Sequence, residues 1–213
     1  MLKIKRTTQQ ILEDAQRALD TAELGYESFK KQSKNRLSGL MNVAVFGVSV
    51  TCVLQNLRSV QPEFDKWYEP YKLQMAADPL MKYFWNLRSE ILKEGKLQLG
   101  SHAVLNLNVS PSTSFDRIPP PPPNVKVKSF FMGDRLGCSG YEIEQADGSI
   151  NKYYVKVPKV ILKTSLHFPD SPKTHLGHCL SDYSVENLSR LYLDYLKKMV
   201  DDAKARFGKK VNT

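Results

Sequence analysis

Cysteine is scarce in this 213-residue sequence: Cys52, Cys138 and Cys179 stand alone, with no CxxC pair. An odd, scattered set excludes a disulfide framework and points to a reducing compartment. An uninterrupted apolar run of bilayer length is also lacking. The longest stretch, LMNVAVFGVSVTCVLQNL over residues 40–57, is broken by Asn42, Ser49, Thr51 and Gln55. It reads as a buried core helix and not as a membrane span. The N-terminus, MLKIKRTTQQILEDAQRALD, turns polar too early for a secretory leader. A soluble cytoplasmic protein without membrane association is therefore expected. No Ser-His-Asp arrangement, nucleotide-binding glycine fingerprint or internal repeat stands out, so no cofactor is expected. Acidic residues are in deficit, 22 against 31 basic ones, for a net charge of +9. That balance favours RNA or another polyanion as partner without choosing among them.

What is present suffices for a core. The hydrophobic fraction of 41% and charged fraction of 25% lie near globular averages and exclude global disorder. Thr7 and Gln10 have capping-box spacing. Ile11, Leu12, Ala15, Leu19, Ala22, Tyr26 and Phe29 then recur at helical steps. After the polar break at 30–36, a second helix over about 37–57 is apolar almost all round, which places it in the middle of a bundle. The stretch SVQPEFDKWYEPYK breaks the pattern with two prolines. Its aromatics Phe64, Trp67, Tyr68 and Tyr71 either anchor a connection on the core or stack on bases. A third helix starts at Asp78-Pro79 and stops at Gly95.

Residues 101–123 form a proline-rich irregular linker, in which Leu105, Leu107 and Val109 suggest a short strand. From 124 to 163 the period changes to two, and VKVKSFF, GYEIEQ and INKYYVKV read as three strands, with an Asp147-Gly148 turn between the last two. A last helix occupies 181–208 with a basic end. The expected architecture is a single domain over 1–213, mainly α with a β insertion. Its helices over 1–100 and its last helix make a four-helix bundle, and a three-stranded antiparallel β meander lies beside it.

Candidate chemistry centres on LRSEILKEG, residues 87–95. Positions 81, 85, 88 and 92 share a helical stripe, so Arg88 lies between Trp85 and Leu92 on an otherwise apolar face. A guanidinium there needs a partner or a wet cleft. Either its stem packs on Trp85 while its head reaches water or an acid such as Glu63 or Asp65, or it serves a ligand.

A helical bundle with an arginine-led polar motif near the end of a late helix resembles the HEPN superfamily, over roughly 1–100 and 180–207. That resemblance implies a homodimer that brings two motifs into one basic cleft. It also implies, in active members, metal-independent RNA cleavage by the 2′-hydroxyl, with the arginine on the phosphate and a histidine moving the proton. Here Arg88 and Ser89 match the first two positions, and Lys93 stands where the histidine belongs. The resemblance thus implies a binding or interaction module for RNA or a protein partner, in a bacterial-type defence or toxin–antitoxin setting. The alternatives are an endoribonuclease using Arg88 with Glu90 or Glu94 as an unorthodox base and Lys93 on a phosphate, and a non-catalytic structural dimer.

A second candidate lies in the strands. Alternation puts Lys152, Tyr154 and Lys156 on one face, and Lys126 and Lys128 alternate with valines in the same way. If these faces align, they form a lysine ladder around a tyrosine that could follow a phosphate backbone. The opposing reading is a solvated face, with Glu142 and Glu144 pairing some of those lysines. The loop GDRLGCSG lacks a P-loop ending and joins two strands; its glycines suit positive φ, and Cys138 is expected to be exposed. HFPDSPKTHLGHC clusters His167, His175 and His178 with Cys179 in a loop, where no metal site is expected. His175 or His178 could instead fold back to Arg88 and complete a composite site.

Overall fold

The computed structural model describes residues 6–31, 35–105 and 115–208; the expected strand positions Leu107 and Val109 lie outside them. The chain divides into two compact units. One, formed by residues 1–30, 37–97 and 172–213, is helical. The other, residues 31–36 and 98–171, carries most of the strands. The whole is a mixed α/β protein with antiparallel sheets.

In the helical unit, α1 (Thr8–Lys30) begins with the reciprocal capping box that the sequence announces. The Thr7 amide donates to Gln10 Oε1 at 2.9 Å, and the Gln10 amide donates to Thr7 Oγ1 at 3.2 Å. Helix α2 (Arg36–Leu54) is continued by a 3₁₀ turn at Gln55–Ser59. Its Leu40, Val43, Ala44 and Leu54 are fully buried, but Phe46 is 36% exposed and Cys52 faces solvent. The helix is therefore buried on one side only, not all round. Residues Arg36–Ser59 are long and apolar enough to cross a membrane, yet half of that stretch is buried inside the protein. Gly25 and Gly39 let α1 and α2 meet backbone to backbone: a Cβ on Gly39 would lie 2.5 Å from the Gly25 carbonyl oxygen.

The two-proline stretch, expected to break the pattern, contains a helix, α3 (Phe64–Ala77), with Pro70 inside it. A proline within a helix removes one amide donor and costs about 3 kcal/mol. Burial of Phe64, Trp67 and Tyr68 offsets that cost. Helix α4 (Pro79–Glu94) is capped by the Asp78 side chain and ends at Gly95, whose φ is 65°. Helix α5 (Val185–Phe207) is capped by Ser184 and runs along α1. There Arg190 makes two 2.8 Å bonds to the Glu23 carboxylate. Tyr192 stacks on Phe84 of α4 at 4.1 Å between ring centres, and a Cβ on Gly47 of α2 would strike the Tyr192 ring.

In the strand unit, β1 (Gly100–Leu105) pairs with β5 (Leu162–His167). The strands β2 (Lys126–Phe131), β3 (Ser139–Glu144) and β4 (Ile150–Val155) form the expected antiparallel meander. Its apolar face packs Val155, Phe130 and Tyr141 against Ile118, Val157, Ile161 and Leu162. A short hairpin, β6 (Thr174–His175) and β7 (His178–Cys179), belongs to the helical unit.

The β2–β3 loop differs from expectation in two details. Cys138 is buried, not exposed, and burial pushes its thiol pKa up. Gly140 has no positive φ. It is needed because a Cβ there would lie 2.1 Å from the Tyr153 carbonyl oxygen.

Candidate functional site

Helix α4 turns Leu80, Phe84, Leu87 and Ile91 into the core. The stripe carrying Arg88 lies to one side of that face, and both of its flanking residues are out in solvent, Trp85 at 50% and Leu92 at 55% exposure. Arg88 is half-buried, and its Nε is shut off from water with no hydrogen-bond partner among the described residues. Neither Glu63 nor Asp65 reaches it: Glu63 lies 4.0 Å from Arg206, and Asp65 binds Arg58 at 2.7 Å. The Ser89 hydroxyl donates to the Trp85 carbonyl at 3.1 Å. Glu90 and Lys93 are exposed and make no ion pair with each other among the described residues. At 3.6 residues per turn they project roughly 160° and 140° around the helix from Arg88. A single copy therefore does not gather Arg88, Glu90 and Lys93 around one point.

The sheet lysines are largely neutralised where they stand. Lys126 and Lys128 both hold Glu144 Oε2, at 3.0 and 2.9 Å. Lys128, then Lys126, hold the Glu144 carboxyl below the usual range. Register explains the pairing: Lys126 lies opposite Glu144, Lys152 lies opposite Glu142, and a bulge between Val127 and Ser129 accommodates Lys128. Lys152 reaches Asp134 at 3.8 Å and covers the Phe131 ring at 4.6 Å, while Tyr154 donates to Asp134 Oδ2 at 3.2 Å. Lys156 follows β4 and is exposed. The expected ladder thus comes with its own counter-charges. The neighbouring glycine-rich loop spends its amides internally, because Leu136 and Cys138 both donate to Asp134 Oδ1, at 2.9 and 3.0 Å.

A third place emerges only in three dimensions. His175 is buried, and its Nδ1 faces both Asp78 carboxylate oxygens, at 3.1 and 3.2 Å. The same carboxylate caps α4 through the Met81 amide at 2.9 Å and accepts the Leu176 amide at 2.6 Å. His175 therefore docks at the start of α4, ten residues and roughly 15 Å of helix from Arg88. The composite of Arg88 with His175 is not formed, and His178 is exposed in β7. The docked histidine lines a groove of about 770 Å³ between α3 and α5. Trp67 and Tyr71 form part of its wall, and both donate to Asp202 Oδ2 at 2.7 Å. Tyr195 donates to Gln74 Oε1 at 3.0 Å, and its hydroxyl pKa is raised to about 12 by burial and then by the Asp78 charge. Asp78 and His175 are 97 positions apart, and nothing in their local sequence announces the pairing.

The family model for bacteriophage lambda protein ea47 matches residues 6–131, more than half of the chain. The chain belongs to the phage lambda Ea47 family. No curated protein and no solved structure matches it. In this Ea47-family chain the matched segment contains α1 to α4, β1 and β2, and so includes Arg88 and Asp78. His175 and α5 lie beyond it.

Proposed function

We propose that this Ea47-family protein is a HEPN-like binding module that acts in the bacterial cytoplasm as a dimer and engages RNA through Arg88. In this reading α1, α2, α4 and α5 are the bundle and α3 is an added helix. The observation that carries it is Arg88 itself: a guanidinium with a buried, unpartnered Nε, set between exposed Trp85 and Leu92. A buried donor without a partner costs roughly 1–3 kcal/mol, so the side chain is held in place by something other than an internal ion pair; its terminal nitrogens, which are not closed off, are the ones a phosphate or a partner's oxygen would meet. Binding is favoured over cleavage because Lys93 and Glu90 project away from Arg88. The net charge of +9 would assist the encounter with RNA.

The test is a salt titration of single-stranded RNA binding by fluorescence anisotropy. Arg88→Ala should weaken binding and lower the slope of log K against log salt by about one. An unchanged slope removes Arg88 from the RNA contact. In the same samples with EDTA, RNA should stay intact over long incubation. Fragments with cyclic phosphate ends would instead establish the ribonuclease alternative.

A further inference from the structure

The groove between α3 and α5 has the elements of a second ligand site, one that does not depend on Arg88. At about 770 Å³ it is in the size range of small-molecule sites. Its lining includes an imidazole whose orientation is fixed: Asp78 occupies Nδ1 of His175, and no described residue hydrogen-bonds Nε2. His175 lines the groove, so that nitrogen is the one left for a ligand. Three cations, Lys66, Lys198 and Arg206, stand on the rim with two acids, Asp194 and Asp202. Both acids are already engaged: Asp202 by Trp67 and Tyr71, Asp194 by Arg190 at 2.8 Å. Arg206 shares its charge with Glu63 at 4.0 Å. Lys66 and Lys198 have no ion pair among the described residues, so the groove carries a modest net positive charge. Such a balance suits one phosphate better than a triphosphate. Pro70, Tyr71, Leu176 and Leu191 add apolar and aromatic wall on which a flat ring can rest. The engaged carboxylate of Asp194 retains lone pairs that can accept from sugar hydroxyls.

We infer that this groove binds a nucleotide phosphate group, with Lys198 and Lys66 on the phosphate, one proton shared between a phosphate oxygen and His175 Nε2, and the attached base against Tyr71 and its apolar neighbours. The nucleotide is either free or the 5′-phosphorylated end of an RNA strand. Asp78 is a positioning residue here, since it presents the imidazole and does not touch the ligand.

The experiment uses the full chain, with its histidine rings labelled for NMR. It is titrated with AMP, with a short 5′-phosphorylated oligoribonucleotide and with inorganic phosphate, and affinities are taken from calorimetry. AMP or the oligonucleotide should move the His175 ring signals and bind at least about tenfold tighter than inorganic phosphate, about 1.4 kcal/mol. Binding of AMP identifies a free nucleotide as sufficient, and binding of the oligonucleotide alone identifies a strand end. Lys198→Ala, at an exposed position that leaves folding intact, should weaken that binding about tenfold. His175→Gln, checked by thermal melting, should weaken it further. The inference is overturned if neither nucleotide moves His175, if inorganic phosphate binds as tightly as both, or if Lys198→Ala has no effect. Run with RNA that carries a 5′-hydroxyl, the salt titration that tests Arg88 does not involve this groove, so the two proposals fail separately.

Discussion

At the scale of single residues, the Asp78 side chain serves three partners at once. One carboxylate caps α4, accepts the Leu176 amide and holds His175. Asp78→Ala removes all three at once. A lost N-cap costs roughly 1 kcal/mol, and the donors it orphans cost roughly 1–3 kcal/mol more. We expect Asp78→Ala to destabilise the protein by about 2–4 kcal/mol in urea unfolding. Asp78→Asn keeps an acceptor for the α4 cap and should recover about half of that loss. Equal losses in the two variants would show that the charge opposite His175 matters and the cap does not. Arg88 presents the opposite case, a polar group with too few partners. Its position was legible from spacing alone, because the 85–88–92 stripe is a property of helical period. That Trp85 and Leu92 face solvent was not legible, because helical period does not say which apolar face another element covers.

At the scale of elements, the strongly periodic segments were legible: α1 and α4 down to their caps, the three-stranded meander strand by strand, and α5 in place, although it starts at Val185 and not at 181. The failures share a physical cause, which is that tertiary contact outweighed local preference. Pro70 argued against α3, yet Phe64, Trp67 and Tyr68 hold it on the helical unit. Strand β5 buries Leu162 and Leu166 with polar residues between, and β1 is exposed along its whole length, so neither shows a clean alternation. The α1–α2 crossing gives a direct test of the same competition. By helix propensity Gly39→Ala should stabilise α2 by about 1 kcal/mol. The new Cβ, however, would stand 2.5 Å from the Gly25 carbonyl oxygen and 2.7 Å from the Phe29 amide nitrogen, both backbone atoms that no rotamer change can move. Overpacking of this kind costs about 1–3 kcal/mol or more, so Gly39→Ala should lower stability on balance. Ser38→Ala, one residue earlier on the exposed side, should stay within a few tenths of a kcal/mol of wild type. A Gly39→Ala protein more stable than wild type would mean that the two helices do not touch there.

At the scale of the whole molecule, acid and alkali should both destabilise the protein, through different groups. On the acid side, Glu144 has a lowered pKa because Lys128 and Lys126 hold its charged form. Its contribution is present above the ordinary carboxylate range and is lost as pH falls through the folded value. The alkaline side is dominated by tyrosine. Burial, then the charge of Asp78, raises Tyr195 to about 12; burial first also raises Tyr71 and Tyr192. In the unfolded chain these phenols ionise near about 10. A group whose folded pKa is raised binds its proton more tightly when folded. Its stabilisation is therefore complete below about pH 10 and fades as pH rises towards about 12. Lys30 and Lys197, raised by hydrogen bonds to Glu27 and Asp201, act in the same direction. The expected outcome is an alkaline unfolding transition between about pH 10 and 12. Phenolate absorbance at 295 nm, followed together with helical circular dichroism, separates the two populations of the ten tyrosines. Exposed rings such as Tyr153, at 39% exposure, should ionise first with the helices intact. The buried rings should ionise together with loss of helix. If all ten ionised near pH 10.5 while the helical signal held, Tyr71, Tyr192 and Tyr195 could not be packed between α3, α4 and α5 as described, and the groove that Tyr71 and Tyr195 line would lose its wall.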